Sequence, residues 1–151
     1  MALNDFMQQL AHIEMFRLLG PEALRLIAFS AESRILQAGD VLFREGEAAD
    51  AGIVVLSGGF TLTRSGVPDE IAQRVRPGAL IGEMALLSQS FRPATAVASE
   101  ISGILRVPRT LFLRVLQEYP DCAVRLHADI AQRTAQTTAS LAQFRQRFLL
   151  D

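Results

Sequence analysis

The sequence predicts an α+β protein, an antiparallel β jelly-roll barrel with a helical bundle before it and helices after it, one of them long. Three observations carry this. The chain opens on apolar residues at steps of three and four, its middle consists of short glycine-punctuated runs of Val, Ile, Leu, Thr and Phe, and residues 121–151 contain neither Gly nor Pro. Strands grouped together with helices at both ends exclude alternating βαβ units. The expectation is a single domain over 1–151, divided into helices at 1–32, a barrel at 33–108 and helices at 109–151.

Leu3, Phe6, Met7, Leu10, Ile13, Phe16 and Leu19 follow the helical period, with a break near residue 13. Gly20-Pro21 ends that unit, and Pro21 suits the first turn of a second helix with Leu24, Ile27 and Ala28 inward. From residue 33 come RILQAGD, VLFREGE, GIVVLSGG, FTLTRSG and EIAQRVRPG, each ending at or near a glycine turn, as in antiparallel strands at regular spacing. GIVVLSGG and FTLTRSG read as neighbouring strands joined through Ser57-Gly58-Gly59. ATAVAS and ISGILRVP resume the pattern up to Pro108.

Leu111, Phe112, Val115 and Leu116 mark a helix after Pro108, and Pro120 separates it from the last segment. If wholly helical, residues 121–151 would extend roughly 45 Å, longer than a small barrel needs for its own cover. Val124, Ala128, Ala131, Ala135, Thr138 and Ala142 form a heptad-like seam of small residues, while Leu126, Ile130, Leu141, Phe144 and Phe148 form another face. One face can cover the barrel and the other a partner chain, so a homodimer through 121–148 and an alanine-rich helix packed on its own domain both account for the pattern.

Composition narrows the class. With 151 residues, half of them hydrophobic, the chain can bury a core without a metal or disulfide, and the single cysteine, Cys122, fits a reducing compartment. Fifteen basic residues, all arginine, against sixteen acidic ones give a net charge of −1, and no field to attract nucleic acid or an anionic membrane. There is no secretory leader pattern and no apolar run of membrane-spanning length, so the protein reads as soluble and cytoplasmic. His12 and His127 have no Cys or His partner at ligand spacing, which argues against a metal site. No nucleophile elbow and no phosphate loop occurs, and the absence of lysine removes that residue's chemistry; the chain does not read as an enzyme.

The chemistry concentrates in IGEMALLSQSFRPATA, residues 81–96. A short helix starting at Gly82 would leave free N–H groups that favour an anion, and Arg92, arriving from the far end of the loop, would add a planar fork suited to two phosphate oxygens. Glu83 would repel a bare phosphate, but a carboxylate beside a phosphate site is explained if it accepts a hydrogen bond from a sugar hydroxyl. As charges at a spacing alone, an exposed ion pair worth about 0 to 1 kcal/mol is the plainer account.

The wider pattern resembles the cyclic nucleotide-binding domain family. Its phosphate-binding cassette runs Gly-Glu-(Leu/Met)-Ala-Leu, several variable residues, then Pro-Arg-(Ala/Ser/Thr)-Ala-(Thr/Ser). Gly82, Glu83, Met84, Ala85 and Leu86 match the first part, and Arg92, Ala94 and Thr95 the second, without a gap. Met15 to Leu19 with Pro21 to Leu24 resemble the family's amino-terminal helices. Ala38-Gly39-Asp40, Glu45-Gly46-Glu47, Asp50, Leu56-Ser57-Gly58 and Pro77-Gly78 resemble its barrel turns. Two positions depart from the pattern: Phe91 replaces the usual proline, and Pro93 follows the arginine, where a backbone N–H would normally face the phosphate.

The resemblance implies a cassette over 82–95 in which Glu83 binds the ribose 2′-hydroxyl and Arg92 the exocyclic phosphate oxygens. Backbone amides near Ala85 and after the arginine would complete it. Gly82, Glu83, Met84, Ala85, Arg92, Pro93, Ala94 and Thr95 are thus the implied binding residues. Pro93 lacks the hydroxyl that members preferring cyclic GMP often carry there, so cyclic AMP is the implied ligand, with no prosthetic group and no metal. The implied role is a regulatory sensor, either stand-alone or a fragment of a larger protein, that repacks its C-terminal helices and signals to an unidentified protein partner. Family regulators that bind DNA have a further domain after the long helix, and residues 121–151 leave no room for it. The other reading from a different class is a ligand-free interaction module with the same fold.

Overall fold

The computed structural model describes residues 3–133. Three helices come first, α1 (Leu3–Ala11), α2 (Glu14–Arg17) and α3 (Gly20–Ser30). The break expected near residue 13 lies at Ile13, whose backbone is extended. Gly20 takes a left-handed φ of 82°, with Pro21 in the first turn of α3, and that helix buries Ala23, Leu24, Ile27 and Ala28.

Ten strands follow: β1 (Glu32–Leu36), β2 (Val41–Phe43), β3 (Ala48–Ala49), β4 (Ala51–Ser57), β5 (Phe60–Thr63), β6 (Gln73–Val75), β7 (Leu80–Ile81), β8 (Ser90–Phe91), β9 (Thr95–Ala98) and β10 (Ser102–Pro108). Between β7 and β8 sits the short helix α4 (Glu83–Leu87). The strands make two four-stranded antiparallel sheets, ordered β1-β10-β4-β7 and β2-β9-β5-β6, and a separate pair β3-β8. Hydrogen bonding among the described residues therefore does not run continuously around a closed barrel.

The expected β4–β5 hairpin does not form. β4 pairs with β10 and β7, whereas β5 pairs with β6 and β9. Ser57-Gly58-Gly59 is instead where the chain passes from one sheet to the other. Gly58 has φ 76°, and a Cβ there would stand 2.3 Å from the Ser102 hydroxyl oxygen and 2.4 Å from Ile101 O. Ser102, fully buried, accepts from Gly59 N–H at 3.0 Å, and its one hydroxyl proton has both Glu100 O at 2.9 Å and Gly59 O at 3.0 Å within reach, which ties the crossing to β10. A glycine turn signals a reversal of direction but not which strand lies beyond it.

The core has two parts. Leu36, Ile53, Val55 and Ile104 of one sheet pack with Phe43, Phe60, Val75, Ala96 and Ala98 of the other. Val54, Leu56, Leu105 and Val107, on the opposite face of the first sheet, meet Phe16, Ile27, Phe112 and Leu126 from the helices. β4 is thus covered on both faces, which is why it reads as a continuous apolar run rather than an alternating one.

α5 (Arg109–Glu118) buries Leu111, Phe112 and Val115, and Phe112 meets Phe16 edge-on at 6.1 Å between ring centroids. Residues 120–133 are helical. Cys122 and Leu126 are buried and Ile130 packs against the helical core, while Val124, Ala128 and Ala131 are exposed. The remaining seam positions, Ala135, Thr138 and Ala142, and Leu141, Phe144 and Phe148, lie outside the described residues. Among the described residues no helix is long and apolar enough to cross a membrane, and no group of three metal-binding side chains occurs.

Candidate functional site

β3 pairs with β8, Ala48 opposite Phe91 and Ala49 opposite Ser90, and this places the next residue, Arg92, against the start of β4. Its backbone is held on both sides: Arg92 N–H donates to Glu47 O and Gly46 N–H to Arg92 O, each at 2.8 Å. The side chain turns inward and is only 6 % exposed. Nη2 donates to Ala51 O at 2.9 Å, and the guanidinium lies over the Phe43 ring, 4.3 Å from its centroid. Nη1 is buried and has no hydrogen-bond partner among the described residues.

That nitrogen faces Gly82. A methyl group on Gly82 would lie 2.6 Å from Nη1 and displace the guanidinium tip, and the residue's φ of 82° is left-handed, a torsion that favours glycine. Gly52 makes a similar allowance on the other side of α4, where a Cβ would come within 2.9 Å of Leu86. Leu86, fully buried, anchors α4 in the helical core. Burial pushes the Arg92 guanidinium below its ordinary value, partly offset by the Asp50 charge. An arginine remains charged near neutrality all the same, so a cation with one free donor points at the glycine that opens α4.

Glu83, half-buried, is ion-paired with Arg133 of the C-terminal helix at 2.8 Å, and Arg133 also meets Asp129 at 3.0 Å. The hydrogen bond that Arg133 donates to the Glu83 carboxylate, then the carboxylate's charge, raises the Arg133 guanidinium above its usual range. Of the other implied residues, Ala85 and Ala94 are buried, Met84 and Pro93 are exposed, and the Thr95 hydroxyl accepts from Glu45 N–H at 2.9 Å. The Ala85 amide, expected to face an anion, donates back to Gly82 O at 3.1 Å. The structure thus brings Gly82 and Arg92 together and leaves Glu83 near them but engaged.

Three neighbours had no signal in the sequence. Phe43 and Ala51 reach Arg92 through strand packing, and Arg133 reaches Glu83 across fifty residues of chain. A cleft of about 260 Å³ lies beside the cassette, lined by Leu62, Arg64, Val67, Ile71, Ala72, Gln73, Pro93 and Ala94. A larger one, about 480 Å³ between α3 and Tyr119–Arg125, includes no cassette residue and stands apart from this chemistry.

Residues 33–119 match the family described as Cyclic nucleotide-binding domain. Among solved structures, a cyclic nucleotide-binding-like protein from Brucella abortus is 40 % identical, covering 75 % of this chain and 98 % of its own, with a TM-score of 0.68. The N-terminal domain of a transcriptional regulator from Streptomyces coelicolor is 29 % identical, covering 88 % of this chain and 94 % of its own, at a TM-score of 0.79. Lysophospholipase nte1 of Aspergillus fumigatus is 32 % identical over 115 residues, which are 75 % of this chain and 8 % of that protein. The chain therefore spans under a tenth of the curated relatives it matches, and what is shared is one module of them. A buried arginine over a left-handed glycine, in a module matched over most of its length, places this chain in the cyclic nucleotide-binding domain family.

Proposed function

We propose that the protein binds cyclic AMP in preference to cyclic GMP and acts as a non-enzymatic regulatory sensor within one domain, residues 1–151, of jelly-roll type. The observation that carries this is the buried, unpartnered Nη1 of Arg92 beside Gly82. An unpaired charged donor in the interior is costly, and a phosphate oxygen at that point satisfies it. In this reading Glu83 accepts from the ribose 2′-hydroxyl after release from Arg133, and the base lies in the cleft past Pro93 and Ala94. Met84, Ala85 and Thr95 shape the cassette. Cyclic AMP is favoured because Pro93 offers no hydroxyl to a guanine. Since Glu83 is bound by Arg133, occupancy acts on the C-terminal helix and shifts its population of positions; a protein partner in the cytoplasm reads that shift.

A second reading, an interaction module that keeps the fold without the ligand and dimerises through 121–148, draws on two observations. Pro93 lacks the donor N–H, and Val124, Ala128 and Ala131 stand exposed on one helix face. Calorimetric titration with both nucleotides, beside sedimentation at tens of micromolar, separates the readings. Heat with cyclic AMP supports the sensor; no heat from either nucleotide at millimolar concentration, with a dimer in sedimentation, supports the module.

A further inference from the structure

We propose that Arg109 is a positioning residue for the nucleotide site, holding the far end of α4 and, through residues 49–51, the seat of Arg92. Its functional half rests on the cyclic nucleotide reading above.

Arg109 is the first residue of α5. Its Nη1 lies 3.0 Å from Ala49 O, 3.2 Å from Ala85 O and 3.1 Å from Ser88 O, and its backbone N–H donates to Asp50 O at 2.8 Å. Ala85 and Ser88 carry carbonyls at the C-terminal end of α4, where a helix leaves acceptors unpaired and favours a positive charge. α4 has only five residues, and at its C-terminal end the Ser88 N–H donates to Met84 O. So short a helix has little hydrogen bonding of its own, and its orientation depends on what grips it.

The grip extends to Arg92. Three consecutive carbonyls, those of Ala49, Asp50 and Ala51, accept from two arginines: the first two from Arg109, the third from Arg92 Nη2. Arg109 thus fixes both partners of the Gly82–Arg92 juxtaposition, α4 from its C-terminal end and the Arg92 guanidinium through the strand it leans on. A shift of α4 towards a bound phosphate moves the carbonyls that Arg109 holds, and with them the first turn of α5.

The test uses the whole chain with Arg109→Met, Arg109→Gln and Arg109→Lys. In the nucleotide-free protein, amide hydrogen exchange over residues 84–88 should quicken at least about tenfold in Arg109→Met, the effect of losing bonds to a charged group, while β4 and β10 keep wild-type protection. Cyclic AMP affinity should fall about tenfold in the same variant. Arg109→Lys, which keeps a charge with three donors, should recover most of both losses. Should Arg109→Met not fold, Arg109→Gln carries the comparison, with the same directions expected. Wild-type exchange over 84–88 in the neutral variant overturns the hold on α4. Wild-type affinity in it, when the wild type binds, overturns the positioning role and leaves the sensor reading intact. If the wild type takes up neither nucleotide, the functional half falls with the sensor reading, and the exchange comparison still decides whether Arg109 holds α4.

Discussion

Arg133 holds the Glu83 carboxylate at 2.8 Å, so the residue implied for the sugar is tied to the C-terminal helix. Both side chains are more than a third exposed, at 43 % and 40 %, which limits the pair to about 0 to 1 kcal/mol. Arg133→Ala should therefore leave the urea midpoint nearly unchanged. By freeing Glu83 it should tighten cyclic AMP by no more than about fivefold, an effect that shrinks as salt rises. Weaker binding in this variant would show that Arg133 assists the ligand rather than competing with it.

Gly82→Ala forces a side chain into a left-handed torsion and against Arg92 Nη1. Strain of this kind costs about 1–3 kcal/mol, to be read as a lower midpoint in urea at unchanged slope. A wild-type midpoint would mean that the loop leaves the left-handed torsion and Arg92 moves aside, both without cost.

Ser102→Ala tests the crossing between the sheets. It removes, from a fully buried side chain, the acceptor for Gly59 N–H and the donor shared by Gly59 O and Glu100 O. A loss of about 1–3 kcal/mol is expected. A change within a few tenths would mean that the glycine backbone alone sets the crossing.

Much of this frame was legible in the sequence. The break at Ile13, Pro21 opening α3, and the buried Leu111, Phe112 and Val115 all follow from periodicity and proline placement, which are local properties. The partners of β4 were not, because pairing is a long-range choice that glycine spacing does not encode. Nor were β3, β7 and β8, two residues each, too short to show a period. In the candidate site, the cassette pattern singles out Gly82 and Arg92, and the structure brings these two together. The inward turn of the guanidinium, the hold of Arg133 on Glu83 and the grip of Arg109 on α4 join residues 21 to 50 positions apart and left no local trace.

Glu45 supplies a pH dependence. The Ser65 hydroxyl and backbone N–H donate to its carboxylate, the hydroxyl at 2.6 Å, and hold its pKa below the usual glutamate range. A lowered folded pKa contributes stability above the unfolded value and loses it as pH falls through the folded one. The urea midpoint of the wild type should therefore exceed that of Glu45→Gln near neutrality, with the gap closing on acidification below the glutamate range. A gap independent of pH would assign the effect to the shape of the turn instead of the charge.

The central claim is that the free donor of Arg92 receives a cyclic nucleotide phosphate. The most direct measurement is calorimetric titration of cyclic AMP into the wild type and into Arg92→Ala, with a urea melt showing that both are folded. The account predicts saturable heat for the wild type and a loss of at least about a hundredfold in affinity for the variant, as for a charge-assisted phosphate contact. No heat from the folded wild type at millimolar cyclic AMP, or equal affinity in the two proteins, would contradict it.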